Sequence, residues 1–188
     1  IVADLNLPSS TVQALLDDAA RFGVPLVLVA VSEPKMDRLP QSLAGLRLLI
    51  LNQGELEARI GHAIDSDAAL AAACSELQAQ GAQDVIVTRG ARGVSYTTDG
   101  GIAHLAALDA SVIDVTGAGD AFAAAVSWTL HQGSDDLELA CRRGLALSAM
   151  TLACAQTVCP SLSHDSLDAN ESPLPTRDGH PFNALYQD

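Results

Sequence analysis

The chain has 188 residues, enough for one domain with a full hydrophobic core and no need of a disulfide framework or structural metal. A hydrophobic share of 48% against 18% charged residues is globular rather than disordered, and with 3% aromatics the core must be built from Leu, Val, Ile and Ala. Ten Lys and Arg against 23 Asp and Glu give a net charge of −13, which argues against nucleic acid or an anionic membrane surface as a general partner. A small anionic ligand stays compatible, because backbone amides can bind phosphate inside an acidic protein.

Residues 1–7 read as a strand ending at Pro8. Ser9 and Ser10 are expected N-caps for a helix carrying Val12, Leu15, Leu16, Ala19 and Ala20 at helical spacing, with Gly23 as its stop. Residues 24–31 form a continuous apolar run, as in a strand buried on both faces. A less regular stretch with Pro34 and Pro40 follows, then a short strand over 48–51. Helices are predicted over 54–60 and 67–80, the second capped by Ser66 and stopped by Gly81, and a strand over 85–88. Residues 93–98 and 102–108 flank Asp99-Gly100-Gly101 as a hairpin. Two Ala-rich helices cover about 119–132 and 137–155, and from Pro160 onward the chain turns polar. This alternation implies a mostly parallel sheet covered by helices.

No apolar run approaches the ~18–20 residues of a membrane span. Ile1 rather than Met opens the sequence, with no basic and apolar leader ahead of it, so a chain that begins in mid-protein or was processed is expected. Cys74, Cys141, Cys154 and Cys159 form no Cys-x-x-Cys pair and read as buried thiols of a reducing compartment, so a cytoplasmic location is expected. The five histidines lack His-Glu-x-x-His spacing, which disfavours a zinc hydrolase.

The most informative segment is Asp114-Val115-Thr116-Gly117-Ala118-Gly119-Asp120-Ala121-Phe122. Two glycines flank a small residue just ahead of a long helix, whose first amides lack internal partners and whose dipole is positive there. An anion can approach such amides closely. Asp120 would repel that anion unless it serves as a general base for a hydroxyl nucleophile. The plainer reading is a glycine turn with an acidic first-turn residue. Gly117-x-Gly119-x-x-Phe122 departs from the dinucleotide fingerprint at its last position. The single lysine, Lys35, lies in no glycine loop, so a Walker P-loop is excluded.

The segment from Asp114 to Phe122 closely resembles the C-terminal signature of the ribokinase-like (PfkB) carbohydrate kinases. Two further segments agree, in the right order. Asn52-Gln53-Gly54-Glu55 matches the family's Asn-x-x-Glu motif, and Thr88-Arg89-Gly90-Ala91-Arg92-Gly93 resembles its Thr-x-Gly-x-x-Gly nucleotide loop. Asn52 and Glu55 also read simply as an N-cap and a first-turn acid. The resemblance covers residues 1–163 as the C-terminal nucleotide-binding part of the domain and leaves 164–188 as a polar tail. It implies an α/β fold, a mostly parallel sheet flanked by helices in a Rossmann-like three-layer arrangement. The activity it implies is transfer of a phosphoryl group from ATP to a hydroxyl of a sugar or nucleoside.

By the same resemblance Asp120 is the catalytic base, and the amides of Gly117, Ala118 and Gly119 form the anion hole. Asn52 and Glu55 organise Mg²⁺ and its waters. Thr88 and Gly90 border the ATP phosphates and ribose, and Gly93 permits close approach. Asp114 and Thr116 resemble positions that bind a monovalent cation, K⁺, in some members. Asp4-Leu5-Asn6-Leu7-Pro8, Val31-Ser32-x-x-Lys35 and Thr157-Val158-x-Pro160-Ser161-Leu162-Ser163 look like the pseudouridine kinase branch. The chain departs from that branch at Val29-Ala30, where Asp-Pro is usual, and at Cys159, where Asn is frequent. Pseudouridine is the leading acceptor. Ribose, a ketose, another nucleoside, or a nucleotide-binding module without catalysis are the alternatives. Thr157 to Ser161 would lie near the adenine or the cation, or else be only a helix-terminating loop. Family members carry a further segment ahead of this point, with the first strands, a glycine-pair sugar motif and a β lid, through which two copies could pair. That N-terminal part and the lid are expected to be missing here.

Overall fold

A computed structural model describes residues 1–160 and Ser163. The expected polar tail over 164–188 lies outside the described residues. The strands are β1 Val2–Asp4, β2 Leu26–Val29, β3 Leu46–Asn52, β4 Asp84–Thr88, β5 Val94–Thr98 and β6 Gly101–Leu105. The helices are α1 Ser9–Phe22, α2 Gln53–Ile60, α3 Asp67–Ala79, α4 Ala118–His131 and α5 Leu137–Leu152. Short 3-10 turns occupy Glu33–Arg38 and Gly90–Arg92. The strands form one six-stranded sheet in sequence order. β1 to β4 run parallel, and β5 and β6 add antiparallel.

The alternation of side chains along the central strands builds two cores. Leu26, Leu28, Leu49, Leu51, Val85 and Val87 face α1, α2 and α3, against Val12, Leu16, Leu56, Leu70, Cys74 and Leu77. Val27, Leu48, Ile50, Ile86, Val94 and Tyr96 face α4 and α5, against Phe122, Val126, Ala140, Cys141 and Leu145. Every parallel strand inside the sheet is therefore apolar on both faces, which is why it reads as a continuous run in the sequence. The result is the expected helix–sheet–helix layering. Burial pushes the Cys74 thiol up to about 11, as befits a thiol used for packing; Cys141 and Cys159 are buried as well, and Cys154 is half-buried.

Several boundaries move, each for a local reason. α1 is capped by Pro8, not by Ser9 or Ser10. Proline at φ −61° and ψ 149° presents its carbonyl to the amides of Thr11 and Val12, so both serines fall inside the first turn. β2 is shorter than its apolar run, since Val24 and Val31 are exposed. β3 starts earlier than predicted because the polar Arg47 is accommodated within it, paired with Asp84 of β4 and, at 3.0 Å, with Asp135. α5 ends at Leu152 rather than at residue 155, and its last carbonyl accepts the amide of Ile113 at 2.7 Å. The loop ahead of α4 is thus hung from the end of α5.

α4 and α5 pack closely because their contact faces are small. A Cβ on Gly144 would sit 2.6 Å from the ring of Phe122, itself 2% exposed. Gly144→Ala is expected to lower unfolding stability by about 1–3 kcal/mol through overpacking. Urea unfolding followed by circular dichroism measures this, and an unchanged midpoint would contradict the packing account.

Candidate active site

β1, β3 and β4 end, in the same direction, at Asp4, Asn52 and Thr88. In an open α/β sheet, the crevice beyond the carboxyl ends of parallel strands is where ligands bind. A cleft of about 1050 Å³ lies there, lined among others by Asp4, Asn6, Asn52, Glu55, Thr88 and Asp120. A second cavity of about 600 Å³ adjoins it, lined by Gly90, Gly93, Leu108, Val112, Val115 and Phe122 among others. Thr88 and Gly119 line both, so they mark the passage between the cleft that carries the carboxylates, the more polar of the two, and the more apolar pocket.

The passage is shaped by the start of α4. Gly117 caps the helix at φ +85°, a conformation glycine adopts readily, and a Cβ there would lie 2.6 Å from the Thr157 carbonyl oxygen. Thr157 therefore packs over the glycine turn. The first intrahelical bond is that of Ala121 to the Gly117 carbonyl at 2.8 Å, so the amides of Gly119 and Asp120 precede the helical ladder. Ala118 differs from its two neighbours: its amide turns back to the Val115 carbonyl at 3.4 Å, and it lines only the apolar pocket. A Cβ on Gly119 would meet nothing within 4 Å, which leaves its face open to a ligand. The Ser148 hydroxyl donates to the Ala118 carbonyl at 2.8 Å and ties this turn to α5. Asp120, exposed on the first turn, points its residue position into the polar cleft.

Across the cleft, Asn52 and Glu55 form a reciprocal capping box. The Asn52 Oδ1 accepts the Glu55 amide at 2.9 Å, and the Glu55 Oε2 accepts the Asn52 amide at 2.7 Å. Glu55 is only 3% exposed. Burial raises its carboxyl above the ordinary range, the Asn52 amide partly offsets this, and the nearby Glu33 carboxylate raises it further. A buried carboxylate that lines the cleft is a suitable partner for the waters of a divalent cation, so these residues fit Mg²⁺. The apolar pocket fits a nucleoside moiety in size and lining, with the open Gly119 and Gly90 backbone toward its phosphates.

Two expected site features take a different form. Gly93 lines the apolar pocket, but its missing side chain chiefly serves the fold, since a Cβ would collide with the backbone of Leu105 to Ala107. Asp114 and Thr116 line neither cavity. The Asp114 Oδ1 accepts the Thr116 amide at 2.9 Å, and that bond, with others from Thr116 and Val115, holds its carboxyl below the ordinary range. Asp4 and Asn6 in the cleft wall were not among the expected site residues. Their signal is positional: they follow the end of a parallel strand. The Asp4 carboxylate accepts both the backbone and side-chain N–H of Asn6, whose Oδ1 accepts from Lys35 Nζ at 2.5 Å.

Comparison with known proteins gives a consistent result. The family model for pfkB family carbohydrate kinases matches residues 2–163. Pseudouridine kinase of Escherichia coli is 30% identical over 164 residues, 87% of this chain and 51% of that protein. Deoxyribokinase of Salmonella typhi is 28% identical over 81% of this chain and 49% of its own length. A solved carbohydrate kinase from Agrobacterium tumefaciens superposes with a TM-score of 0.70 at 32% identity, covering 90% of this chain and 52% of that one. Arabidopsis thaliana ribokinase, solved with ribose and ATP, shares the fold at a TM-score of 0.74 and 21% identity, covering 89% and 54%. The chain spans about half or less of the length of the curated relatives it matches.

The burial of Glu55 has a consequence for stability. A carboxyl raised on folding contributes stability that is fully present below its unfolded value, near 4.5, and is lost as pH climbs through the raised value. Glu55→Gln keeps an acceptor for the Asn52 amide without the buried charge. The variant is therefore expected to gain stability relative to wild type at pH 7 compared with pH 4. Urea unfolding of both proteins at the two pH values tests this, and a pH-independent difference would contradict it.

Proposed function

The chain belongs to the pfkB family of carbohydrate kinases, and on that premise we propose that the protein transfers the γ-phosphoryl group of ATP to a hydroxyl of a sugar or nucleoside. The observation that carries the reading is the position of Asp120 and Gly119 together on the first turn of α4. Gly119 borders both cavities and Asp120 lines only the polar one. A nucleoside in the apolar pocket would direct its phosphates through the passage, toward an acceptor hydroxyl beside Asp120.

In this reading Asp120 accepts the proton of the attacking hydroxyl, and its position does more than its basicity, since phosphoryl transfer depends mainly on alignment and charge stabilisation. The backbone of Gly117 and Gly119 lines the path of the transferred group, and the Gly119 and Asp120 amides, which precede the helical ladder, supply the positive end of the helix dipole, while the Ala118 amide is turned back to the Val115 carbonyl. Mg²⁺ supplies neutralisation of phosphate charge when bound, and Asn52 and Glu55 orient its waters from the opposite wall. Thr88 and Gly90 hold the phosphate and ribose side of the nucleotide. Asp114 and Thr116 remain candidates for a monovalent cation, K⁺, outside the two cavities.

The acceptor reading favours a neutral molecule. Asp4, Glu55 and Asp120 place three carboxylates on the polar cleft, and no Lys or Arg is among its described lining residues. A phosphorylated sugar would meet like charge there. Pseudouridine is the acceptor we favour, supported by the similarity to the Escherichia coli enzyme over 87% of the chain. The Salmonella deoxyribokinase similarity supports a free pentose as the second reading.

Asp120→Asn keeps the size of the side chain but removes the proton acceptor. Turnover is expected to fall by about 10²–10⁴-fold with nucleotide affinity kept, the range usual for loss of a general base. Steady-state rates in the intact protein with saturating pseudouridine or pentose, beside calorimetry with an ATP analogue, measure both quantities. Turnover above about a tenth of wild type would contradict the assignment.

A further inference from the structure

The two motifs that flank the phosphate passage are joined by side chains that neither motif formula includes. Asn52 and Thr88 are paired across β3 and β4, the last residues of their strands. Beyond that pair the backbones diverge, one into α2 and the other into the 3-10 turn Gly90–Arg92. Gln53 spans the gap. Its Nε2 donates to the Glu57 carboxylate and to the Ile64 carbonyl, both at 2.9 Å. With both amide hydrogens engaged, its Oε1 is left to accept from Arg92, which donates through Nη2 at 2.7 Å. The amide of Ile64 also donates to Glu57 at 2.9 Å. At the other end of the turn, Arg89 pairs with Asp67 of α3 at 3.1 Å.

We infer that Gln53 and Arg92 form a positioning bridge that locks the nucleotide loop after β4 to the divalent-cation motif at the start of α2, so that metal and nucleotide phosphates bind as one unit. The inference rests on the kinase reading above. Gln53 adjoins Asn52, and Arg92 lies between Gly90 and Gly93. The bridge therefore fixes the spacing between the groups that orient metal waters and the backbone that borders the phosphates. Neither side chain touches the reacting atoms. Loss of the bridge leaves each half of the site formed and removes their mutual alignment.

The test is calorimetry of the 188-residue chain with a non-hydrolysable ATP analogue, with and without Mg²⁺. The readout is the gain in affinity that Mg²⁺ confers. Arg92→Ala and Gln53→Ala are each expected to reduce that gain about three- to tenfold, the scale of one hydrogen bond, while affinity without Mg²⁺ stays at the wild-type value. The double variant is expected to be no worse than either single one, and Arg92→Lys, which can still donate once, to recover part of the gain. Circular dichroism confirms folding of each variant. An undiminished gain in the variants overturns the bridge alone. A parallel loss with and without Mg²⁺ also overturns it, because that is what simple loosening of the loop produces. A folded wild-type chain that binds no analogue overturns the kinase reading together with it.

Discussion

A helix that begins where parallel strands end leaves amides without partners, and the site of this protein depends on where the first turn of α4 is held. Three contacts from elsewhere in the chain hold it. Gly117 in a left-handed conformation lets the Thr157 backbone approach, the Ser148 hydroxyl bonds the Ala118 carbonyl, and the last carbonyl of α5 takes the Ile113 amide. Each contact reaches α4 from α5 or the segment after it. The tight packing of Gly144 against Phe122 is therefore part of the same device, since Phe122 also lines the apolar pocket. Fold energetics and site geometry meet in one helix pair.

The opposite wall shows how one pair of residues can serve the backbone and, under the proposed reading, the ligand. The Asn52 and Glu55 capping box satisfies two amides at the start of α2, which is sufficient reason for both residues. An ordinary capping glutamate stays in solvent, however, whereas Glu55 is buried beside a second carboxylate, Glu33. Burying that charge opposes stability at neutral pH. A divalent cation in the adjoining cleft would offset it, so the unfavourable local electrostatics are consistent with a site built for a partner carrying positive charge.

Much of this was legible in the sequence because the informative features are local. Glycines at turns, the Asn52-x-x-Glu55 cap and the apolar strand runs act over a few residues, and they predicted the layering, the hairpin and the motif positions. The departures are long-range. Arg47 stands outside the strand predicted over 48–51, and its place inside β3 goes with its pairing to Asp84 and Asp135, while Pro8 displaced two good capping serines through its fixed φ. Gly93 lines the apolar pocket, but the passage of the Leu105 to Ala107 backbone over it is a tertiary fact that its motif does not carry. Asp4 and Asn6 belong to the cleft because β1, paired with β2, ends at the same edge of the sheet as β3, so that they share a cavity with residues of β3 and α4.

The central claim is that nucleotide phosphates lie between the loop after β4 and the first turn of α4. Amide hydrogen exchange of the chain with and without a non-hydrolysable ATP analogue and Mg²⁺ tests it most directly. The account predicts slowed exchange over residues 88–93 and 117–122, with exchange in α1 and α3 unchanged. Protection confined to other segments, or none in a folded sample at saturating analogue, would contradict it.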